Sequence, residues 1–141
     1  MASYEVSEDK NRLDIDAIHQ FLSHSYWAAG IPKEVLKRAI ANSLCIGIYF
    51  GDTQVGFARL ITDTATFAYL ADVYVVESHR NKGLANLIMD HVESHPDLKG
   101  IRRKLLITRD AHGLYRKYGY TTPANPENIL EIRLANPYGE P

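Results

Sequence analysis

The stretch VYVVESHRNKGLANLIMDHVESHP, Val73 to Pro96, constrains the fold more than any other part of the chain. It opens with the end of FAYLADVYVV, ten residues of aromatic and aliphatic types that predict a central strand. A short loop follows. The pattern then changes: Leu84, Leu87, Ile88, His91 and Val92 share one helical face until Pro96, which cannot continue a helix. RRKLLITR, next in the chain, reads as another strand. A strand, a tight loop, a covering helix and a second strand make a crossover, which predicts a parallel strand pair.

The rest of the chain predicts antiparallel neighbours and more helices. DIDAIHQFLSHSYWAAG spaces Ile15, Ile18, Phe21 and Leu22 as a helix with Asp14 as its cap, and PKEVLKRAIANS predicts a second helix with Pro32 in its first turn. LCIGIYF and QVGFARLITD flank GDT, the signature of a hairpin. DAHGLYRKYGY predicts a short helix ended by Gly119, and ILEIRLA a final strand. This order implies a mixed α/β (α+β) sandwich with helices against one sheet. At 141 residues, with no repeat or linker, residues 1–141 are expected to form a single domain.

The loop carries chemistry. A helix N-terminus presents unpaired N–H groups and a partial positive charge, so a tight strand-to-helix turn is suited to phosphate oxygens. In RNKGLA, Gly83 supplies permissive backbone, Ala85 a small side chain, and Arg80 and Lys82 local positive charge. A solvated turn is the plainer account of so short a loop. Neither GxxxxGK[ST] nor GxGxxG occurs in the chain, so the usual nucleotide loops do not explain it.

The pattern Arg80, Gly83, Ala85 after VYVVESH resembles the [QR]xxGx[GA] signature of the GCN5-related N-acetyltransferases (GNAT). The later elements Ala111, Leu114, Tyr115, Gly119 and Tyr120 resemble that family's AxxLYxKxG[FY] motif, in the expected order and after a strand. Asn81 stands where the family often has glycine, and Thr108 where many members have an asparagine that contacts the cofactor. The resemblance implies a mostly antiparallel central sheet with helices on both sides. It also implies acetyl-CoA as cosubstrate and direct transfer to a primary amine of a small molecule or peptide in a ternary complex.

The residues implied by that resemblance are Val73, Tyr74 and Val75, whose backbone would meet the thioester, and Arg80, Asn81, Lys82, Gly83, Leu84, Ala85 and Thr108 around the cofactor. Tyr115 is the expected acid, since a phenol is protonated at neutral pH and can supply a departing thiolate. Asp72 is a candidate base, with pairing to Arg59 the alternative, and His112 is a weaker one. Tyr26 and Trp27 are expected to line the acceptor pocket, or else to pack. Arg59 and Asp63 could meet substrate or form a surface ion pair. A CoA-binding module without turnover would share these motifs, although Tyr115 beside Asp72 argues for chemistry.

Charge excludes other classes. Sixteen basic and 17 acidic side chains leave a formal charge of −1, so no nucleic-acid partner is expected, and KGIRRK reads as a solvated loop. The opening residues lack a secretory pattern and no run is long and apolar enough to span a membrane, which makes a cytoplasmic setting the expectation. Cys45, the single cysteine, lies in an apolar run and reads as core. No metal site is expected: His91 and His95 read as a helix face. A homodimer is possible.

Overall fold

The structure is a computed structural model that describes residues 3–139. Five strands form one sheet in chain order: β1 (Tyr4–Ser7), β2 (Leu44–Phe50), β3 (Thr53–Thr62), β4 (Phe67–Val75) and β5 (Arg103–Leu106). Neighbours among β1 to β4 are antiparallel, and β5 runs parallel to β4, as the crossover predicts. The helices are α1 (Ile15–Leu22), α2 (Lys33–Ala41), α3 (Leu84–Ser94) and the short α4 (His112–Arg116).

Local chemistry explains these elements. The Asp14 carboxylate accepts from the Ala17 N–H at 3.0 Å and caps α1, a bond worth ~1 kcal/mol. Ile18 and Leu22, four residues apart, then bury against Leu36 and Ile40 of α2 and against Cys45, Phe57 and Tyr74 of the sheet. On the opposite face, Leu84, Ile88, Met89 and Val92 of α3 pack on Ile46, Ile48, Ala58, Leu60, Ala68 and Leu70. Each such side chain contributes roughly 1.5–3 kcal/mol on full burial. Helices therefore lie on both sides of the sheet.

One irregularity shapes the sheet. Phe57 faces Tyr74 while Arg59 faces Ala71, so two steps along β3 match three along β4. The extra residue is a β-bulge, and Asp72 takes up its left-handed backbone at φ 58. Leu70 and Val73, three apart, consequently enter the same α3-side core, while Tyr74 turns to the α1–α2 side. β5 pairs with β4 only from Phe67 to Leu70, and beyond Leu70 the two strands part.

Three expectations need correction. The polar opening residues contain a strand, β1, which pairs Tyr4 with Phe50 through Ser7 with Gly47. The first helix stops at Leu22, and the residues up to Gly30 form turns in which the Ser25 hydroxyl accepts from the Ala28 N–H. ILEIRLA is not a strand of its own chain's sheet: Leu130, Ile132 and Leu134 are 93%, 99% and 70% exposed. Its alternation suits a half-buried strand, yet no strand of the chain lies beside it to accept the ladder.

Candidate active site

A cleft of about 800 Å³ opens where β4 and β5 part. That size suits a small-molecule or cofactor site. Its floor is the Ala71–Val75 backbone, and one wall is the turn into α3. The second wall is Leu106 to Ala111 with Leu114 and Tyr115, and the far end is closed by Phe21, Tyr26 and Trp27.

The α3 turn is built for close approach. Asn81 and Gly83 hold left-handed backbone at φ 62 and φ 77, and the Arg80 Nε donates to the Val75 carbonyl at 3.0 Å, folding the loop onto the strand end. Gly83 caps α3 without a side-chain acceptor, no acidic residue stands in the first turn, and the first helical bond runs from the Leu87 N–H to the Gly83 carbonyl. The N–H groups of the first turn are therefore open and carry the positive end of the helix dipole. A Cβ on Gly83 would meet no protein atom within 4 Å, so the space before the turn is clear. Arg80, Asn81, Gly83, Leu84 and Ala85 line the cleft. Lys82 does not, because the turn directs it outward into solvent.

Across from this turn, α4 presents Tyr115, which is buried among the α3-side core while lining the cleft. Burial, reinforced by Tyr26 and Asp110, pushes its phenol above the ordinary value and keeps it protonated. The Thr108 hydroxyl oxygen accepts from the Ala111 N–H at 3.0 Å, shaping the entry to α4 from the cleft wall. His112 is exposed and outside the wall.

Asp72 faces the cleft with both carboxylate oxygens engaged. Oδ1 accepts from the Trp27 indole at 2.9 Å, and Oδ2 from the Arg59 Nε at 2.8 Å. Arg59 Nη1 also donates to the Ser43 hydroxyl at 3.0 Å. Arg59 is thus held behind Asp72 and does not line the cleft, which removes it from the substrate-contacting set. Asp63 accepts from the Ala65, Thr66 and Phe67 N–H groups and organises the β3–β4 turn instead.

Tyr26 and Trp27 both line the far end, packed edge to face at 5.0 Å. The Arg109 guanidinium lies over the Tyr26 ring at 3.8 Å, and the Tyr26 hydroxyl accepts from the Arg109 N–H at 3.3 Å. Phe21 stacks on Tyr74 at 4.0 Å. Phe21 and Arg109 are wall residues that sequence reasoning missed. Phe21 lies on the core-facing stripe of α1, and Arg109 reads as an ordinary charge at a strand end, so neither carries a local signal.

Comparison with known proteins adds to this geometry. Residues 41–122 match the family described as Acetyltransferase (GNAT) domain. An acetyltransferase candidate of Gibberella zeae is 33% identical, over 81% of this chain and 76% of that one. A solved GNAT-family acetyltransferase candidate from Xanthomonas campestris is 47% identical and superposes over 99% of both chains at a TM-score of 0.96. A score that high requires residues 121–139 to follow the same course in both. A Clostridium acetobutylicum chain solved with acetyl-CoA, 15% identical, shares the fold over 99% of this chain and 100% of that one at a TM-score of 0.67.

Proposed function

The chain belongs to the GNAT acetyltransferase family, and on that premise we infer that it transfers acetyl from acetyl-CoA to a primary amine of a small molecule or peptide. The observation that carries this reading is the parting of β4 from β5 directly beside the uncapped N-terminus of α3, with Tyr115 on the opposite wall. The residues fit the cosubstrate: open N–H groups suit a diphosphate, and clear space lies before Gly83. Arg80, Asn81, Gly83, Leu84, Ala85 and Thr108 would hold it, with the Val73–Val75 backbone along its acyl end. When bound, acetyl-CoA supplies an activated thioester.

The chain's own groups do the rest. Backbone N–H groups of Val73 to Val75, without β5 partners, stand fixed where negative charge develops on a carbonyl oxygen. Tyr115 holds a proton on its phenol for a departing thiolate, and its burial keeps that proton in place at neutral pH. Asp72 fixes the Trp27 indole and places negative charge at the acceptor end, attracting an ammonium group toward the cleft. Phe21, Tyr26 and Trp27 exclude water there and offer aromatic faces to a cation. One domain, residues 1–141, carries the reaction in a cytoplasmic setting. Among the described residues no helix is long and apolar enough to cross a membrane.

Calorimetric titration with acetyl-CoA, beside ATP, tests the site, and release of free CoA across a panel of amines tests turnover. Selective micromolar binding with amine-dependent CoA release is expected. Binding without release under any amine would reduce the protein to a CoA-binding module, and no binding would remove the reading.

A further inference from the structure

We propose that the C-terminal arm, residues 129–135, is an exchanged strand that pairs alongside β5 of a second copy of this chain. The inference concerns assembly and stands apart from the acetyl-transfer reading.

The arm has the composition of a strand and the surroundings of none. Leu130, Ile132 and Leu134 share one face, and Glu131 and Arg133 share the other, the period-2 pattern of a half-buried strand. Yet the three apolar residues are 93%, 99% and 70% exposed. Among the described residues no backbone hydrogen bond engages residues 130–135, although strand-forming segments pair their N–H and C=O groups with great regularity. A loose tail would not hold a fixed path. This one is tied at its far end, where Tyr138 packs on the α1–α2 core against Gly30, and its course is common to the Xanthomonas chain.

The same chain holds the complementary vacancy. β5 is the last strand of the sheet, so its outer edge is unpaired, and it is only four residues long. Around it the sheet leaves Ile61, Phe67 and Ile107 exposed. Pairing parity puts Ile61, Phe67 and Leu105 on one face with Tyr69, the face that α1 and α2 cover only toward the cleft. A strand laid on β5 would continue that apolar face with Leu130, Ile132 and Leu134. Glu131 would meet the basic start of β5, where Arg102, Arg103 and Lys104 follow one another.

Each copy thus carries one unpaired strand and one unpaired edge. A two-fold exchange satisfies both at once and closes without leaving a further edge of this kind to recruit a third copy. Pairing arm to arm would instead leave both β5 edges open and form a two-stranded ribbon, which is marginal alone. A partner strand on β5 would also steady the segment from Ile107 to Asp110 that forms a cleft wall.

Light scattering on the full chain after size exclusion reads the mass, and Ile132→Glu is the test variant. In a single chain that side chain is almost wholly exposed, so the substitution should leave its folding and circular dichroism unchanged. The parent is expected at the mass of two chains and Ile132→Glu at the mass of one. A conservative second arm uses co-expressed, differently tagged chains bearing Ile132→Cys and Arg103→Cys, joined by a short bis-maleimide. Cross-links between the two tags are expected. A parent of single-chain mass, an Ile132→Glu protein that stays dimeric, or cross-linking confined to Ile132→Cys with itself would each overturn the proposal.

Discussion

Replacing Asp72 with alanine separates a carboxylate that holds the site together from one that only abstracts a proton. The Asp72 side chain is 7% exposed and that of Arg59 14%, so solvent screens their pair little. Removing one member of a buried pair leaves the other charge uncompensated, at roughly 3–5 kcal/mol. Alanine at φ 58 adds about 1 kcal/mol of left-handed strain, and the Trp27 indole loses its acceptor. The total, ~4–6 kcal/mol, corresponds to a fall in Tm on the order of 15 °C for a chain of this size. Asp72→Asn tolerates the backbone and still accepts from Trp27, so it should lose only the charge-assisted part, ~1.5–3 kcal/mol. Urea denaturation of both variants, with Arg59→Ala in a double-mutant cycle, measures the coupling directly, and it should exceed ~1.5 kcal/mol. In the assay, Asp72→Asn should raise KM for the amine while keeping measurable turnover. A loss of stability under ~1 kcal/mol in Asp72→Ala, together with abolished turnover in Asp72→Asn at unchanged amine affinity, would refute the positioning role and restore Asp72 as the base.

Tyr115→Phe should lower kcat at least tenfold while leaving the Kd for acetyl-CoA within about threefold. Because burial raises the phenol, any alkaline limb of kcat that belongs to it should lie above the ordinary tyrosine value of ~10 and vanish in the variant. Gly83→Val should weaken acetyl-CoA binding by tenfold or more in calorimetry, since its Cβ would enter the space before the α3 turn. It should also cost ~1–2 kcal/mol through its left-handed backbone at φ 77. At Glu8, burial works to raise the carboxyl, but hydrogen bonds with His91 and His95 prevail and hold it below the usual range. Its contribution is therefore full above pH ~4.5 and is lost as pH falls through the lower folded value, so melting curves of parent and Glu8→Gln should converge in acid. Cys45 is 2% exposed and burial pushes its thiol up to about 11, so native protein at pH 8 should react with iodoacetamide far more slowly than urea-unfolded protein.

What the sequence made legible was local. The α3 turn could be read because Gly83, the helical stripe after it and the apolar run before it sit within one short segment, and the β2–β3 hairpin because Gly51 and Asp52 mark its turn. Asp14 announced its own cap. The parts that escaped depend on distance along the chain. Arg59 looked available to a substrate, since its partner, Asp72, lies on the next strand and is brought opposite only by pairing. Residues 4–7 are too few and too polar to declare a strand, and become one because β2 offers its edge. ILEIRLA shows the converse: the pattern of a strand is present, and its own chain provides no neighbour. The bulge has no residue-type signal at all, because aspartate adopts left-handed backbone less readily than glycine and here does so under the pull of Trp27 and Arg59.

That bulge makes the cleft a matter of chain length rather than of any side chain. With Asp72 deleted, β4 would regain strict alternation against β3, and everything after the deletion would change sides. Tyr74 would point toward α3 and abandon Phe21, Val73 and Val75 would turn toward α1 and α2, and β4 would lose the bend that carries it away from β5. No point substitution reproduces this. A sheet lacking one residue would be more regular, would fill its hydrogen bonds more completely, and would have no place for two reactants to meet.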